Sequence, residues 1–276
     1  MSNTVINTNV TALNSHRAIL GVGNSQSRSA ERLSTGMRIN RAADDAAGLA
    51  ISEGMRNQIR GLDQAVRNSQ DGISLIQTAE GALEEIHRMA ERARVLTVQA
   101  ANSTYSEEDR GLILLEVEQL VEDMNRIVSD TEFNGMTLLD DSNETFTIQA
   151  GANSGQFVEV SIGDVGQYVT GLDSDLWAAG DSTSEISDFL DDIDSFIHSI
   201  SSMRANLGAY QNRLEHTINN LSVASENLSA ANSRIRDTDM AAEMMQFTQA
   251  NVLQQAGMSM LAQANMAPNN VLQLLG

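Results

Sequence analysis

The chain has 276 residues, enough for one or two domains with a core, yet aromatics make up only 4% of it and proline occurs once, at Pro268. It has no cysteine, which excludes disulfides, thiolate nucleophiles and zinc–thiolate sites. The net charge is −20, from 37 acidic residues against 17 basic ones that are all arginine, so nucleic acid and anionic lipid would repel the chain, and chemistry at lysine is excluded.

The first thirty residues contain no acid and only Arg17 and Arg28 as bases. Ile6, Val10, Leu13 and Leu20 stand three to seven apart here, a spacing that predicts a helix with one apolar side. The opening residues have neither a basic start nor an apolar run, so no cleaved signal peptide is expected. No apolar run in the chain approaches the roughly 20 residues that span a bilayer.

From Ile59 the apolar spacing becomes nearly heptad. Ile59, Leu62, Val66, Ile73, Ile76, Leu83, Ile86, Ala93, Leu96 and Ala100 form a seam whose slips read as a stutter. Gly61, Gly72 and Gly81 lie within it; each lowers helix propensity by about 1 kcal/mol, and close approach of another helix is the expected reason for keeping them. A further helix is predicted from about Ser106 to Val128, with Ser106 and Asp109 at cap-like positions and a seam of Ile113, Val117, Leu120, Met124 and Ile127. Asn134-Gly135 marks a turn. From Thr145 the period drops to two: Phe146, Ile148 and Ala150, then Val158, Val160 and Ile162, separated by Gly151-Ala-Asn-Ser-Gly155, predict a β-hairpin.

Ser182-Thr-Ser-Glu185 reads as a capping box for the next helix. In it Ile193, Ile200, Leu207, Leu214, Leu221, Leu228 and Ile235 repeat every seven residues, with Phe196, Met203, Tyr210, Thr217, Ala224 and Ala231 between them. Six such heptads make a helix of about 63 Å. After Thr238 the only charges are Asp239 and Glu243, while Met240, Met244, Phe247, Leu253, Ala256, Met260, Leu261 and Ala264 stand mostly three or four apart. Uncharged amphipathic ends need a cover. Self-association outranks membrane contact because their polar faces lack the basic residues of an interfacial helix. Acid gathers instead in the middle, with 22 Asp and Glu against two arginines between Ser103 and Ser195.

The elements add up to a mainly α protein: an elongated antiparallel coiled coil or helical bundle with a small β-hairpin region at about 133–175, its N- and C-terminal helices paired. Nothing catalytic assembles along the chain. His16, His87, His198 and His216 lack metal-ligand spacing. Asp44-Asp45 and Asp191-Asp192 would point apart on a helix, and Glu107-Glu-Asp109 suits a helix N-terminus better than a calcium site. No enzyme activity, cofactor or metal is expected.

Residues 31–60, ERLSTGMRINRAADDAAGLAISEGMRNQIR, with NSQDGISLIQTAEGAL at 68–83 and TEFNGMTLLD at 131–140, resemble the N-terminal signature of bacterial flagellins. NVLQQAGMSMLAQANMAPNNVLQLLG at 251–276 resembles the flagellin C-terminus. Only about 45 residues separate Thr137 from the long C-terminal helix, which leaves no room for the outer domains of longer family members. The resemblance implies a subunit of the flagellar filament for swimming, with 1–33 and 241–276 as an inner terminal coiled-coil domain, 34–46 as a spoke, and 47–240 as a helical bundle domain. It implies polymerisation through Ile6, Val10, Leu13, Leu20, Met244, Phe247, Leu253, Met260 and Leu261, and spoke contacts through Arg38, Arg41, Asp44 and Asp45. The implied partners are copies of itself, a flagellar secretion chaperone, and the filament cap and hook-junction proteins. A host Toll-like receptor is implied at Arg92, Leu96 and Glu116, although Arg92 also suits an ordinary helix ion pair. The implied location is extracellular, after type III export without signal cleavage, with no nucleic-acid or membrane partner. The rival reading is a secreted monomeric coiled-coil adaptor or type III tip protein that binds a receptor.

Overall fold

A computed structural model describes residues 8–140, 145–178 and 183–275 of the chain. The described residues form helices α1 (Val10–Thr35), α2 (Ala46–Ala100), α3 (Glu107–Asp130), α4 (Val165–Ala178), α5 (Thr183–Arg236) and α6 (Met240–Leu275), with strands β1 (Glu132–Phe133), β2 (Met136–Thr137), β3 (Thr145–Gln149) and β4 (Phe157–Ser161) between α3 and α4. They fall into two compact units, one of residues 1–57 and 227–276, the other of residues 58–226. The expected capping box, Ser182 with the Glu185 side chain, lies outside the described residues.

In the unit of residues 58–226, α2 and α5 run antiparallel. Two bonds set their register: Arg94 Nη2 donates to Asp194 Oδ2 at 3.1 Å, and Ser225 Oγ donates to Asp63 Oδ1 at 3.0 Å. The residue numbers sum to 288 in both pairs, so the two helices pass in straight opposition. The α5 seam is the predicted one, extended at its start by Ile186 and Phe189; its row of every seventh residue is buried from Ile186 to Leu221, while Met203, Tyr210 and Thr217 beside it are half-buried. The α2 seam keeps the predicted Ile76, Leu83, Ile86, Ala93, Leu96 and Ala100 but departs from the prediction before Ile76. Its two central rows are Ala65, Gly72, Ala79, Ile86, Ala93 and Ala100, and Ser69, Ile76, Leu83, Ala90 and Thr97, each strictly seven apart, with Leu75 and Leu96 buried beside them. There is no stutter: the apparent slips came from following Leu62, Val66 and Ile73, which are only half-buried, and passing over small residues. Ser69 and Thr97 sit in this apolar seam because their hydroxyls donate to the carbonyls four residues back, Ala65 O and Ala93 O, both at 2.8 Å.

Helix α3 opens as its sequence predicts. The Ser106 hydroxyl accepts from the Asp109 amide at 3.2 Å and donates to the Asp109 carboxylate at 2.7 Å, and Glu107, Glu108 and Asp109 load the first turn with the favoured sign of charge. Asn134 (φ 52°) and Gly135 (φ 76°) then form the left-handed two-residue turn that joins β1 to β2. Strands β3 and β4 pair antiparallel with Ile148 opposite Val158 and Phe146 opposite Val160, turning Ile148, Val158 and Val160 into the core. The hairpin lies on α2: the Asn68 side-chain amide donates to Gln149 O at 3.1 Å.

Of Gly61, Gly72 and Gly81, the first two serve this contact rather than the approach of a helix. A Cβ at Gly61 would stand 2.8 Å from Ala152 Cβ, and one at Gly72 would overlap Ile148 Cδ1, whereas Gly81 faces open space. Gly81→Ala should therefore stabilise the unit by up to about 1 kcal/mol through helix propensity. Gly61→Ala should destabilise it by about 1–2 kcal/mol, because Ala152 has no rotamer to retreat into and overpacking outweighs that gain. Urea denaturation of the two variants checks the opposite signs.

From Val165 the chain is helical, although the sequence reading leaves it in the hairpin region 133–175. Asp164 Oδ1 accepts from the Gln167 amide at 3.0 Å as a cap, and Val165, Val169 and Leu172 bury one side of α4, which packs with α3.

Candidate assembly interface

In the unit of residues 1–57 and 227–276, α1 and α6 form an antiparallel pair. Asn9 Nδ2 donates to Ala264 O at 2.7 Å, and Arg32 Nη1 stands 3.7 Å from Glu243 Oε2 at the other end. Between them Gly257 lies so close to Ile19 that a Cβ would meet Ile19 Cγ1 at 2.9 Å. The inward row of α6 is Glu243, Ala250, Gly257 and Ala264, strictly seven apart, and three of the four are small. On α1 the covered positions include Ala12, Ser15, Ile19, Gly23, Gln26 and Ser29, again mostly small. Small residues let two backbones approach, and so the seam uses up little of the apolar surface these helices carry.

Half-buried Phe247, Gln254 and Leu261 flank the inward row of α6, as Val22 and Leu33 flank the covered positions of α1, but most of the bulky residues point the other way. Val10, Leu13 (57% exposed) and Leu20 on α1, and Met244, Leu253 and Met260 (60%) on α6, are exposed. So are Met245 (69%), Val252, Met258 and Met266, which the sequence reading passed over. Phe247 and Leu261 are half-buried, and Ile6 lies outside the described residues. Met244, Met245, Thr248, Gln249, Val252 and Leu253 line an open apolar groove along α6. Monomeric proteins seldom leave so long an apolar stripe in water.

The connector between α1 and α2 is stitched to the end of α5 by main-chain bonds. Gly36 (φ 71°) closes α1 by donating to Arg32 O at 2.8 Å, a left-handed cap that a side chain would strain. Gly36 O then accepts from Thr238 N at 3.0 Å, Arg38 N donates to Arg236 O at 2.6 Å, and Met37 bridges Asp237. Each expected spoke residue has a partner inside the unit. The Arg38 guanidinium donates to Ile235 O, Arg41 pairs with Glu31 at 2.9 Å, and the Asp45 carboxylate accepts from Gly48 N at 2.9 Å to open α2. Arg41 is still largely open to solvent.

Asp44 Oδ2 accepts from the amides of Arg41 at 3.0 Å and Asn40 at 3.2 Å, and these bonds, in that order, hold its carboxyl below the usual value of 3.8. Glu53 is lowered likewise, first by its bond from Arg236 at 2.7 Å. A carboxyl depressed in the folded state adds stability above its unfolded pKa and loses it as pH falls through the folded one. Acid below the ordinary carboxylate range should therefore loosen this connector, and Asp44→Asn should do so at neutral pH. The check is faster amide exchange at Asn40 and Arg41.

In the unit of residues 58–226, Arg92 pairs with Glu116 at 2.7 Å and joins α2 to α3. Leu96 is only 3% exposed and belongs to the core, so it cannot contribute to the surface expected of it. The exposed apolar residues near this pair in sequence are Val95, Val98, Leu112 and Leu115. His16, His198 and His216 are exposed, and half-buried His87 stands 3.4 Å from Glu91. Among the described residues no helix is long and apolar enough to cross a membrane.

The bacterial flagellin N-terminal helical region matches residues 6–144, and the bacterial flagellin C-terminal helical region matches residues 190–275. The flagellin of Halalkalibacterium halodurans is 54% identical over 276 residues, covering 98% of this chain and 99% of that protein. The flagellin of Bacillus subtilis is 47% identical over 301 residues, with the same two coverages. The crystal structure of Bacillus cereus flagellin matches with a TM-score of 0.51 and 30% identity, over 60% of this chain and 94% of that one. With both helical regions matched and two relatives aligned nearly end to end, the chain belongs to the bacterial flagellin family.

Proposed function

We propose that the outward apolar faces of α1 and α6 are the surfaces through which this flagellin polymerises. The chain is a structural subunit of the flagellar filament for motility; the proposal concerns which residues hold the polymer together. The observation that carries it is that the terminal pair buries mainly small residues while Val10, Leu13, Leu20, Leu253 and six methionines of α6 stay exposed. A fully buried side chain of the latter kind contributes about 1.5–3 kcal/mol. A head-to-tail contact that does not close on itself yields an open helix.

On this reading residues 1–33 and 241–276 form the terminal coiled coil, 34–46 is the spoke, with Arg41 paired to Glu31 yet exposed enough to reach a neighbour, and 47–240 is the helical bundle whose acid keeps the polymer soluble. Before assembly the α6 face needs a cover, the role of a secretion chaperone, and the filament cap and hook-junction proteins meet the same face at the two filament ends. Export to the cell exterior proceeds through a type III apparatus without signal cleavage, and the protein catalyses nothing. A receptor surface on α2 and α3 would rest on Arg92 and Glu116 without Leu96.

Low-speed sedimentation after salt-induced assembly tests the proposal. The full chain should pellet as filaments, and a chain lacking 241–276 should stay in the supernatant. A truncated chain that still pellets as filaments overturns it. The rival, a secreted monomeric adaptor or tip protein, requires the full chain to remain soluble at every concentration.

A further inference from the structure

Helix α6 carries six of the 13 methionines in the chain, Met240, Met244, Met245, Met258, Met260 and Met266, and all six are exposed. By contrast Met124, in the core of residues 58–226, is 1% exposed. None of the six belongs to the seam row Glu243, Ala250, Gly257 and Ala264 that faces α1. Oxygen added to these sulfurs therefore leaves that row untouched.

We infer that the α6 thioethers are a reversible modification site through which peroxide controls whether the free subunit can assemble. The inference rests on the assembly reading above. The thioether sulfur donates an electron pair to one oxygen of hydrogen peroxide, an S–O bond forms, the O–O bond breaks, and the second oxygen leaves as water. Each methionine gains one oxygen, its sulfur is oxidised by two electrons, and the peroxide is reduced by two. A sulfoxide reductase supplied with a dithiol reverses the step, yielding the thioether, a disulfide and water.

A sulfoxide is a strong hydrogen-bond acceptor that holds water, and an apolar contact between copies offers it no donor. Oxidation thus turns the outward stripe of α6 polar without touching the α1–α6 seam, so the subunit keeps its fold and loses its self-affinity. Copies already in a filament bury the same sulfurs and are protected. The device acts on unassembled subunits alone.

The test treats the soluble full chain with hydrogen peroxide, maps oxygen uptake by peptide mass spectrometry, and then assays salt-induced filament sedimentation. The α6 peptides should gain oxygen before the peptide containing Met124, with circular dichroism unchanged. The concentration needed for assembly should rise at least about tenfold for each sulfoxide buried in the contact. Methionine sulfoxide reductases with dithiothreitol should restore assembly, and preassembled filaments should oxidise more slowly at α6. A variant with all six residues changed to leucine should assemble and ignore peroxide. Normal pelleting of α6-oxidised subunits overturns the inference. So does failure of the reductases to restore assembly, or a leucine variant that assembles yet remains peroxide-sensitive. If the leucine variant does not assemble, reductase rescue of the wild-type chain decides. Untreated full chain that never pellets overturns the assembly reading itself, a result told apart because it needs no peroxide.

Discussion

Replacing Leu253 and Met260 together by aspartate should abolish filament growth while leaving the subunit folded. The two residues stand seven apart on α6, both exposed, and neither faces α1. In the free subunit the new carboxylates are therefore hydrated and cost the fold little. In a polymer that buries this stripe, each change removes the burial of a large side chain, about 1.5–3 kcal/mol, and adds an unpaired charge that resists leaving water. Even the burial terms alone, about 3–6 kcal/mol for the pair, raise the concentration required for assembly by about two to four orders of magnitude. Sedimentation should find the variant in the supernatant, and circular dichroism should match the parent. The same substitutions leaving assembly intact would place the polymer contacts elsewhere on the molecule.

The second large effect concerns Glu243. It is 5% exposed, its Oε1 has no hydrogen-bond partner, and its counter-charge, Arg32, lies at 3.7 Å from the other oxygen. The rest of the α6 inward row is alanine and glycine, residues that pack about equally well at several offsets. A one-heptad slip of α1 against α6 would bring Glu243 opposite Ser25, stranding the carboxylate. One buried charge in an otherwise permissive seam is a device for fixing register. Removing one partner of a buried pair costs about 3–5 kcal/mol. Arg32 retains some solvent contact and the pair lacks a hydrogen bond, so Arg32→Glu should fall near the lower end of that range. Glu243→Arg should cost as much, and the double swap should recover most of the loss. Amide exchange along α1 and α6 measures this, since a misregistered or frayed pair exchanges faster. Singles as stable as the parent, or a double swap no better than either single, would remove the register role.

Much of the local structure was legible from residue spacing. The α5 heptads, the Ser106 cap, the Asn134-Gly135 turn and the period-two hairpin all rest on large apolar residues or on turn chemistry that acts within a few positions. The first part of the α2 seam, before Ile76, is not legible for the opposite reason. Its row positions, Ala65, Ser69 and Gly72, are small and carry no hydropathy signal strong enough to follow. Val165, Val169 and Leu172 had helical spacing behind an Asp cap and were still absorbed into the hairpin region, because three residues make a short stripe. Leu96 shows the limit of assigning a surface by resemblance: its side chain is buried in the core. The bonds of Arg38 to the end of α5 join positions about 200 apart and leave no local trace in the sequence.

The sequence alone determined that both ends of this chain are uncharged helices with more apolar surface than one pairing could hide, because charge and period are properties of the residues themselves. Only tertiary structure decided which side of each helix turns inward. Closeness of approach, set by Gly257 and Ala264 against Ile19 and Asn9, selects the small residues for the seam and leaves the methionines and leucines in water.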